Sequence, residues 1–159
     1  MPYFKVVGGL LLLCCGGAVG VLLVSFERRR CRQAEGFVTL LRYIRVQIDC
    51  FSLPVAQILL GCDPEILTDC GVEGVKLTDF SALLESTPLY LPEEMCRLLA
   101  EFAAQLGGSY REEQLRCCDH FVSRLAPLSD RLRAELPKRV KTVLILPIAA
   151  AAAAILLLL

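Results

Sequence analysis

The chain has 159 residues, of which 17 are basic and 17 acidic, and 55% are hydrophobic. That apolar content exceeds the usual range of soluble globular domains, and it is concentrated in two uncharged segments, residues 6–26 and 142–159. The composition therefore argues against a wholly soluble chain. The residues between the two segments suffice for one small domain but not for two.

Both apolar segments are predicted to be transmembrane helices, over residues 1–26 and 140–159. Either can cross a hydrocarbon core of about 30 Å at about 1.5 Å per residue. A cleaved signal peptide is the alternative for the first, but no small-x-small site follows it and the flank Glu27-Arg28-Arg29-Arg30 is unfavourable. Gly16 and Gly20 form a GxxxG pattern for close helix packing, either between the two spans or between copies in a homo-oligomer.

Basic residues lie beside both apolar segments on the side of the middle domain, and only Lys5 lies on the other side. Cytoplasmic flanks of membrane helices are enriched in Lys and Arg, so this asymmetry predicts a cytoplasmic domain over residues 27–139. The same cations suit the anionic headgroups of a lipid bilayer. This basic collar consists of Arg28, Arg29, Arg30, Arg32, Lys138, Arg139 and Lys141.

The first half of the middle domain has a helical pattern from Gln33 onward. Its apolar residues recur every three or four positions, which places them on one helix face. Ser52 as N-cap and Pro54 in the first turn predict a short helix over residues 55–60, which Gly61 ends. Two weaker helices are expected near residues 65–69 and 79–85, the second capped by Thr78. The apolar face consists of Phe37, Leu41, Ile44, Ile48 and Phe51.

The second half contains two helices joined by a glycine turn. Pro92 begins the first helix, and Gly107 supplies the left-handed residue that ends it. Ser109 and Glu112 then form a capping box for the next helix, which makes the pair an antiparallel hairpin. No strand-like alternation occurs, so the predicted fold is an all-α helical bundle between two membrane helices. The expected apolar positions are Met95, Leu98, Leu99, Phe102, Leu106, Leu115, Cys118, Val122, Leu125, Leu128, Leu132 and Leu136, with kinks or interruptions at Pro127, Pro137 and Pro147.

The sequence gives little indication of catalysis. No glycine-rich phosphate-binding loop is present, and His120 is the only histidine. His120 could act as a base for Cys117 three residues away, although a partly exposed surface histidine is the simpler interpretation. The nine cysteines are odd in number and form no CxxC pair, which favours mostly buried free thiols in a reducing compartment over a zinc site. We therefore expect no enzyme activity and no cofactor.

Acidic residues dominate one part of the middle domain. Between residues 49 and 101 there are ten acidic side chains and only two basic ones. A solvated surface explains such a run, and so does a docking face for a basic cytoplasmic partner. An acidic surface repels nucleic acid, so no nucleic-acid partner is expected. The candidate partner surface comprises Glu93, Glu94 and Glu101.

The layout and two local stretches resemble the stage III sporulation protein AB family of endospore-forming bacteria. Leu106-Gly107 followed by Arg111 and Gln114 is similar to the family's L-G-x-x-x-R-x-x-Q at a helix start. The stretch IDCFSLPVAQIL after the first long helix is a weaker match. Where the family has a Gly-His-Thr-Pro-Leu-like stretch, this chain has Cys50-Phe51-Ser52-Leu53-Pro54, so no role of that histidine is carried over.

The resemblance implies a helical domain related to the cytoplasmic domains of type II secretion F-family platform proteins. It further implies a non-enzymatic membrane component of the channel complex between mother cell and forespore. The head would lie in the mother-cell cytoplasm and dock the complex's ATPase beside other channel-complex membrane proteins. The alternative is a small oligomerising protein that permeabilises membranes, or another two-span membrane adaptor.

Overall fold

Six α-helices account for most of the residues that the computed structural model describes, which are 2–72, 79–107 and 110–158. Within these ranges no strand occurs, so the all-α prediction is confirmed. The helices are α1 Pro2–Phe51, α2 Val55–Leu60, α3 Pro64–Cys70, α4 Phe80–Ser86, α5 Glu93–Gln105 and α6 Arg111–Leu158.

The chain divides into two compact units, and α1 and α6 contribute residues to both. The first unit contains residues 1–29 and 133–159, and the second contains residues 30–132. In the part of the chain that the structure describes, none of the helices is both long and apolar enough to cross a membrane.

Glycines set the contact between α1 and α6 in the first unit. A Cβ added at Gly16 would lie 3.0 Å from the carbonyl oxygen of Pro147 and 3.1 Å from the Cβ of Ala151. Gly20 lies against Leu144, at ordinary van der Waals distance for an added Cβ. Helix backbones can approach closely where a side chain is missing, so both glycines of the GxxxG pattern serve packing within the chain.

α6 remains one helix through Pro127, Pro137 and Pro147, so the predicted interruption at these prolines is wrong. A proline removes one backbone hydrogen bond but its φ is compatible with a helix. Leu125, two residues before Pro127, is buried in the second unit, and Ala151, four residues after Pro147, is buried in the first. In proteins, packing of a helix face supplies most of the stability of a helix, and it can offset the local cost of a proline.

The core of the second unit is built around α1, α4, α5 and α6. Three phenylalanines from α4, α5 and α6 pack edge to face: the Phe80 and Phe102 rings are 5.0 Å apart and the Phe102 and Phe121 rings 5.5 Å apart. The predicted stripe of α1 is buried except for Phe51, which is 65% exposed because the chain turns away immediately after it. The fully buried large side chains include Phe37, Phe80, Phe102, Phe121, Leu40, Leu41, Ile44, Ile48, Ile58, Leu59, Leu83 and Met95.

Gly36 and Gln33 of α1 hold the chain segment around α3 against α1. A Cβ at Gly36 would lie 2.8 Å from the carbonyl carbon of Asp69, so only glycine permits this approach. The Gln33 side chain is 3% exposed and donates to the carbonyl oxygens of Cys70 at 2.8 Å and Pro88 at 3.0 Å. Its amide oxygen accepts from the backbone N–H of Tyr90 at 2.8 Å. One buried side chain thus connects three chain segments.

The helix caps partly follow the sequence pattern. Asp63 caps α3 by accepting from the N–H of Glu65, and Asp79 caps α4 by accepting from the N–H of Ser81. Thr78, the predicted cap of α4, lies outside the described residues. The predicted N-cap role of Ser52 is wrong: Pro54 occupies that position, and Ser52 has a φ of 51° in the left-handed region.

All nine cysteines are free, and their burial differs from the prediction. Cys31, Cys62, Cys70 and Cys118 are buried, as small apolar residues of the core. Cys96 and Cys117 are half-buried, and Cys14, Cys15 and Cys50 are exposed. The expectation that most of the nine are buried is therefore met only in part.

Candidate functional site

A cleft of about 470 Å³ opens in the second unit where α1 ends and α6 begins. We call it the α1–α6 cleft. One wall is the end of α1 with the loop into α2, and the other is the turn before α6 with the first turns of that helix. The lining residues are Ile48, Ser52, Leu53, Pro54, Val55, Gly107, Arg111 and Gln114.

The turn between α5 and α6 shapes one wall. Leu106 closes α5, with its N–H bonded to the carbonyl of Phe102, and its side chain packs on the core. Gly107 follows with a φ of 103°, as the sequence predicts for the residue that ends α5. Ser109 lies outside the described residues, so the capping box is not described. Glu112 lies exposed in the first turn of α6.

Arg111 joins the two walls. Its guanidinium donates to the carboxylate of Asp49 at 2.6 Å, to the carbonyl of Asp49, and to the carbonyl of Ile48 at 3.3 Å. The last carbonyls of a helix lack partners within that helix, so Arg111 satisfies the end of α1 from the start of α6. The geometry therefore makes Arg111 a positioning residue of the cleft.

The ion pairs around Arg111 continue along α1 and α6. Asp49 also lies 3.6 Å from Arg45, and Arg45 donates to Asp119 at 2.7 Å. The hydrogen bond to Asp119 raises the pKa of Arg45. Because these groups are partly exposed and solvent screens them, each ion pair contributes little to overall stability.

The opposite wall begins with the unusual backbone of Ser52. Its N–H still donates to the carbonyl of Ile48 at 3.2 Å, but its left-handed φ turns the chain out of α1. Pro54 then continues in an extended conformation into α2. As a result, the partly buried side chains of Leu53 and Val55 form an apolar wall beside the Arg111 ion pair.

The α1–α6 cleft brings together residues from two stretches that are far apart in the sequence. Gly107, Arg111 and Gln114 come from the L-G-x-x-x-R-x-x-Q stretch, and residues 48 and 52–55 come from the other stretch. More than fifty positions of sequence separate them. The fold brings the two stretches together at one cleft, and neither stretch by itself predicts this.

No protein-family model, curated protein or solved structure matches this chain.

The acidic candidates lie elsewhere in the second unit. Glu93, Glu94 and Glu101 are exposed on α5, and none of them lines the α1–α6 cleft. Other acids of the same run have local structural roles, since Asp63 and Asp79 cap helices.

The basic collar is distributed over both units. Arg28, Arg29, Lys138, Arg139 and Lys141 are exposed residues of the first unit, where Arg139 pairs with Glu135 at 2.8 Å. Arg32 is exposed and Arg30 half-buried in the second unit.

The Cys117 thiol has the surroundings of a structural cysteine. Burial raises its pKa, and its sulfur lies 3.9 Å from the amide oxygen of Gln105. His120 is exposed, and its ring packs edge to face on Phe121 at 5.2 Å. Among the residues that the structure describes, no group of three or more His, Cys, Asp or Glu side chains is arranged to hold a metal ion.

The sequence analysis did not identify the structural roles of Gln33, Gly36 and Asp49. Gln33 lies four residues before Phe37 on the apolar stripe of α1, and a polar residue at such a position signals a buried hydrogen bond. Gly36 interrupts the same helix, and an isolated helical glycine signals a close approach. Asp49 carried no local signal, because its partner Arg111 is distant in sequence.

Proposed function

We propose that this protein is a non-enzymatic membrane platform component of the sporulation channel complex between mother cell and forespore, and that its second unit docks the complex's cytoplasmic ATPase. The observation that carries the proposal is the α1–α6 cleft, at which both family-like stretches meet. A chance resemblance of two short stretches gives no reason for them to line the same cleft. A shared docking or architectural role would explain why both stretches line the same cleft.

The membrane part of the proposal is supported by the sequence and by exposed apolar side chains. Residues 6–26 and 142–159 carry no charge. Clusters of exposed apolar residues on a folded unit mark contact with lipid or protein. In the first unit they include Leu11, Val21, Leu22, Ile145 and Leu146. The exposed cations of the basic collar would then lie at the cytoplasmic headgroups of the mother-cell membrane.

Thiol labelling tests this placement, because Cys50 is exposed in the second unit. In a variant whose only cysteine is Cys50, a membrane-impermeant maleimide should label the protein in lysed protoplasts but not in intact ones. Labelling of intact protoplasts would place the second unit outside the cytoplasm and would contradict the proposed orientation. Extraction of the protein by alkaline carbonate would contradict membrane integration.

Packing within the chain favours this proposal over a membrane-permeabilising oligomer. The GxxxG glycines, Gly16 and Gly20, already contact α6 of the same chain. The sequence pattern that most directly suggested oligomerisation therefore has a partner within the chain.

The docking part is tested by binding. The full chain, reconstituted in lipid nanodiscs, is titrated with the purified ATPase of the same sporulation complex at low and at high salt. We expect saturable binding that weakens at high salt, because exposed charges are screened beyond a Debye length of about 8–10 Å near physiological ionic strength. Absence of binding at both salt concentrations, with empty nanodiscs as the control, would overturn the proposal.

A further inference from the structure

The first unit carries its charge almost entirely at one end. Residues 27–29 and 133–141 contain six basic and two acidic side chains, a net charge of +4. Apart from Lys5, no other residue of this unit is charged. The second unit, residues 30–132, has ten basic and fifteen acidic side chains, a net charge of −5. An anionic surface therefore attracts the charged end of the first unit and repels the second unit.

Both acidic side chains at this end lie near Arg139. Glu135 accepts from the Arg139 guanidinium at 2.8 Å, and this hydrogen bond raises the pKa of Arg139. The charge of Glu27 on α1 raises it further, which places Glu27 near Arg139 of α6. Four other cations at this end are exposed, and none of them forms an ion pair with a residue that the structure describes. This cationic belt consists of Arg28, Arg29, Lys138 and Lys141.

The packing of α1 on α6 brings the cationic belt to one level of the helix pair. Gly16 lies against Pro147, and Gly20 lies against Leu144, so the two helices run antiparallel. Arg28 is eight residues after Gly20, and the two lysines of the belt are three and six residues before Leu144. At about 1.5 Å per residue the four cations span about 9 Å along the helices. That span is close to the thickness of one headgroup layer of a bilayer, which is about 5–8 Å.

Exposed apolar side chains adjoin the cationic belt on both helices. On α1, Phe26 is two residues before Arg28 and 43% exposed, and Leu22, one turn further, is 69% exposed. On α6, Ile145 is four residues after Lys141 and 63% exposed. A phospholipid has the matching arrangement, with a phosphate beside its acyl chains. The uncompensated charge favours a lipid with a net negative charge over a zwitterionic lipid that has the same acyl chains.

We propose that the cationic belt and the apolar side chains beside it bind anionic phospholipids, with the lipid phosphates paired to the four cations. This inference rests on the membrane part of the proposed function and deepens it by naming the lipid class. A free phosphate ion offers the same charge, but it has no acyl chain to cover Phe26, Leu22 and Ile145. The lipid therefore satisfies both parts of this surface.

Lipid titration of the full chain in a non-ionic detergent tests the proposal. Dimyristoylphosphatidylglycerol and dimyristoylphosphatidylcholine are added separately, and native mass spectrometry counts the bound lipids. Phosphatidylglycerol should bind at least about fivefold more tightly, the factor that one cation contributes at an anionic surface. In R28Q/R29Q/K138Q/K141Q this preference should fall below about twofold. The matched control removes four exposed arginines of the second unit and should keep the preference; it is R42Q/R97Q/R116Q/R124Q.

Three results would overturn the inference. The first is equal binding of the two lipids by the wild type, and the second is a preference that persists without the cationic belt. The third is an equal loss in the control variant, because net charge alone would then govern binding. Inorganic phosphate should not displace the lipid more than sodium chloride of equal ionic strength does, and displacement would assign the belt to a free anion instead.

The readout is independent of the ATPase titration that tests the proposed function. A lipid preference without ATPase binding would support this inference alone, and ATPase binding without a lipid preference would support the proposed function alone. Circular dichroism verifies the helix content of each variant. If the fourfold variant loses helix, the double variants R28Q/R29Q and K138Q/K141Q replace it, and each should lower the preference. An unchanged preference in both would overturn the inference.

Discussion

Replacing Gln33 tests the hydrogen bonds that join α1 to the rest of the second unit. In Q33L the carbonyls of Cys70 and Pro88 lose a donor and the N–H of Tyr90 loses an acceptor. A buried polar group left without its partner costs about 1–3 kcal/mol. The bond to Cys70 is buried and the other two are partly buried, so we expect Q33L to lower the free energy of unfolding by about 3–5 kcal/mol.

Urea unfolding of the full chain in detergent, followed by far-UV circular dichroism, measures this change. The control is T39A on the same helix, because the exposed Thr39 hydroxyl bonds only to the carbonyl of Glu35 within that helix. T39A should shift the free energy of unfolding by no more than about 0.5 kcal/mol. If Q33L were as stable as T39A, the three hydrogen bonds would not hold the unit together and the reasoning would be refuted.

The variant Q33E distinguishes the loss of the hydrogen-bond donors of Gln33 from a change in side-chain shape. A carboxylate can still accept from the N–H of Tyr90, but it cannot donate to the carbonyls of Cys70 and Pro88, and its charge is buried at a site where Gln33 is 3% exposed. Burial favours the protonated carboxyl, which regains one donor. The destabilisation in Q33E should therefore ease as the pH falls. A pH-independent loss equal to that in Q33L would contradict this explanation.

Three further predictions concern close packing and thiol burial. Gly36→Ala places a Cβ 2.8 Å from the backbone of the α3 segment, so it should cost about 1–3 kcal/mol despite the better helix propensity of alanine, measured by the same unfolding assay. Gly16→Ala places a Cβ 3.0 Å from the backbone of α6, so it should lower the thermal stability of the first unit. Gly17→Ala is the control, because an added Cβ there has nothing within 4 Å, and it should not lower this stability. Equal effects of the two substitutions would contradict the packing of Gly16 against α6. Burial raises the pKa of Cys118 from its ordinary 9.0 to about 12, so the stability it contributes is present below pH 9 and is lost as the pH rises towards 12. At pH 8 iodoacetamide should modify the exposed Cys50 well before Cys118, and equal rates would argue against the burial.

Local patterns predicted much of the second unit. Apolar periodicity placed Phe37, Leu41 and Ile44 in the core, and the left-handed Gly107 followed from its position directly after Leu106, the last residue of the predicted apolar stripe. The bounds of the short helix α2 also agree with the prediction. These features depend on neighbouring residues, so a single sequence contains the information for them.

Features that depend on distant residues were not predicted. The sequence suggested kinks or interruptions in the last helix at its prolines, yet α6 is one helix from Arg111 to Leu158. Phe51 follows the helical stripe but is exposed, because Ser52 turns the chain at that point. The cleft itself needs Arg111 to reach Asp49 across the bundle, and no local pattern encodes that contact.

Site-specific photo-crosslinking in sporulating cells tests the central claim most directly. A photoreactive amino acid is placed at position 52 of the full chain, which lines the α1–α6 cleft, and at position 60 as the control, which does not; both native side chains are exposed. Mass spectrometry then identifies the crosslinked protein. The account predicts a crosslink from position 52, but not from position 60, to the ATPase of the channel complex. Crosslinks from position 52 only to lipid, to a second copy of this chain or to an unrelated protein would contradict the account.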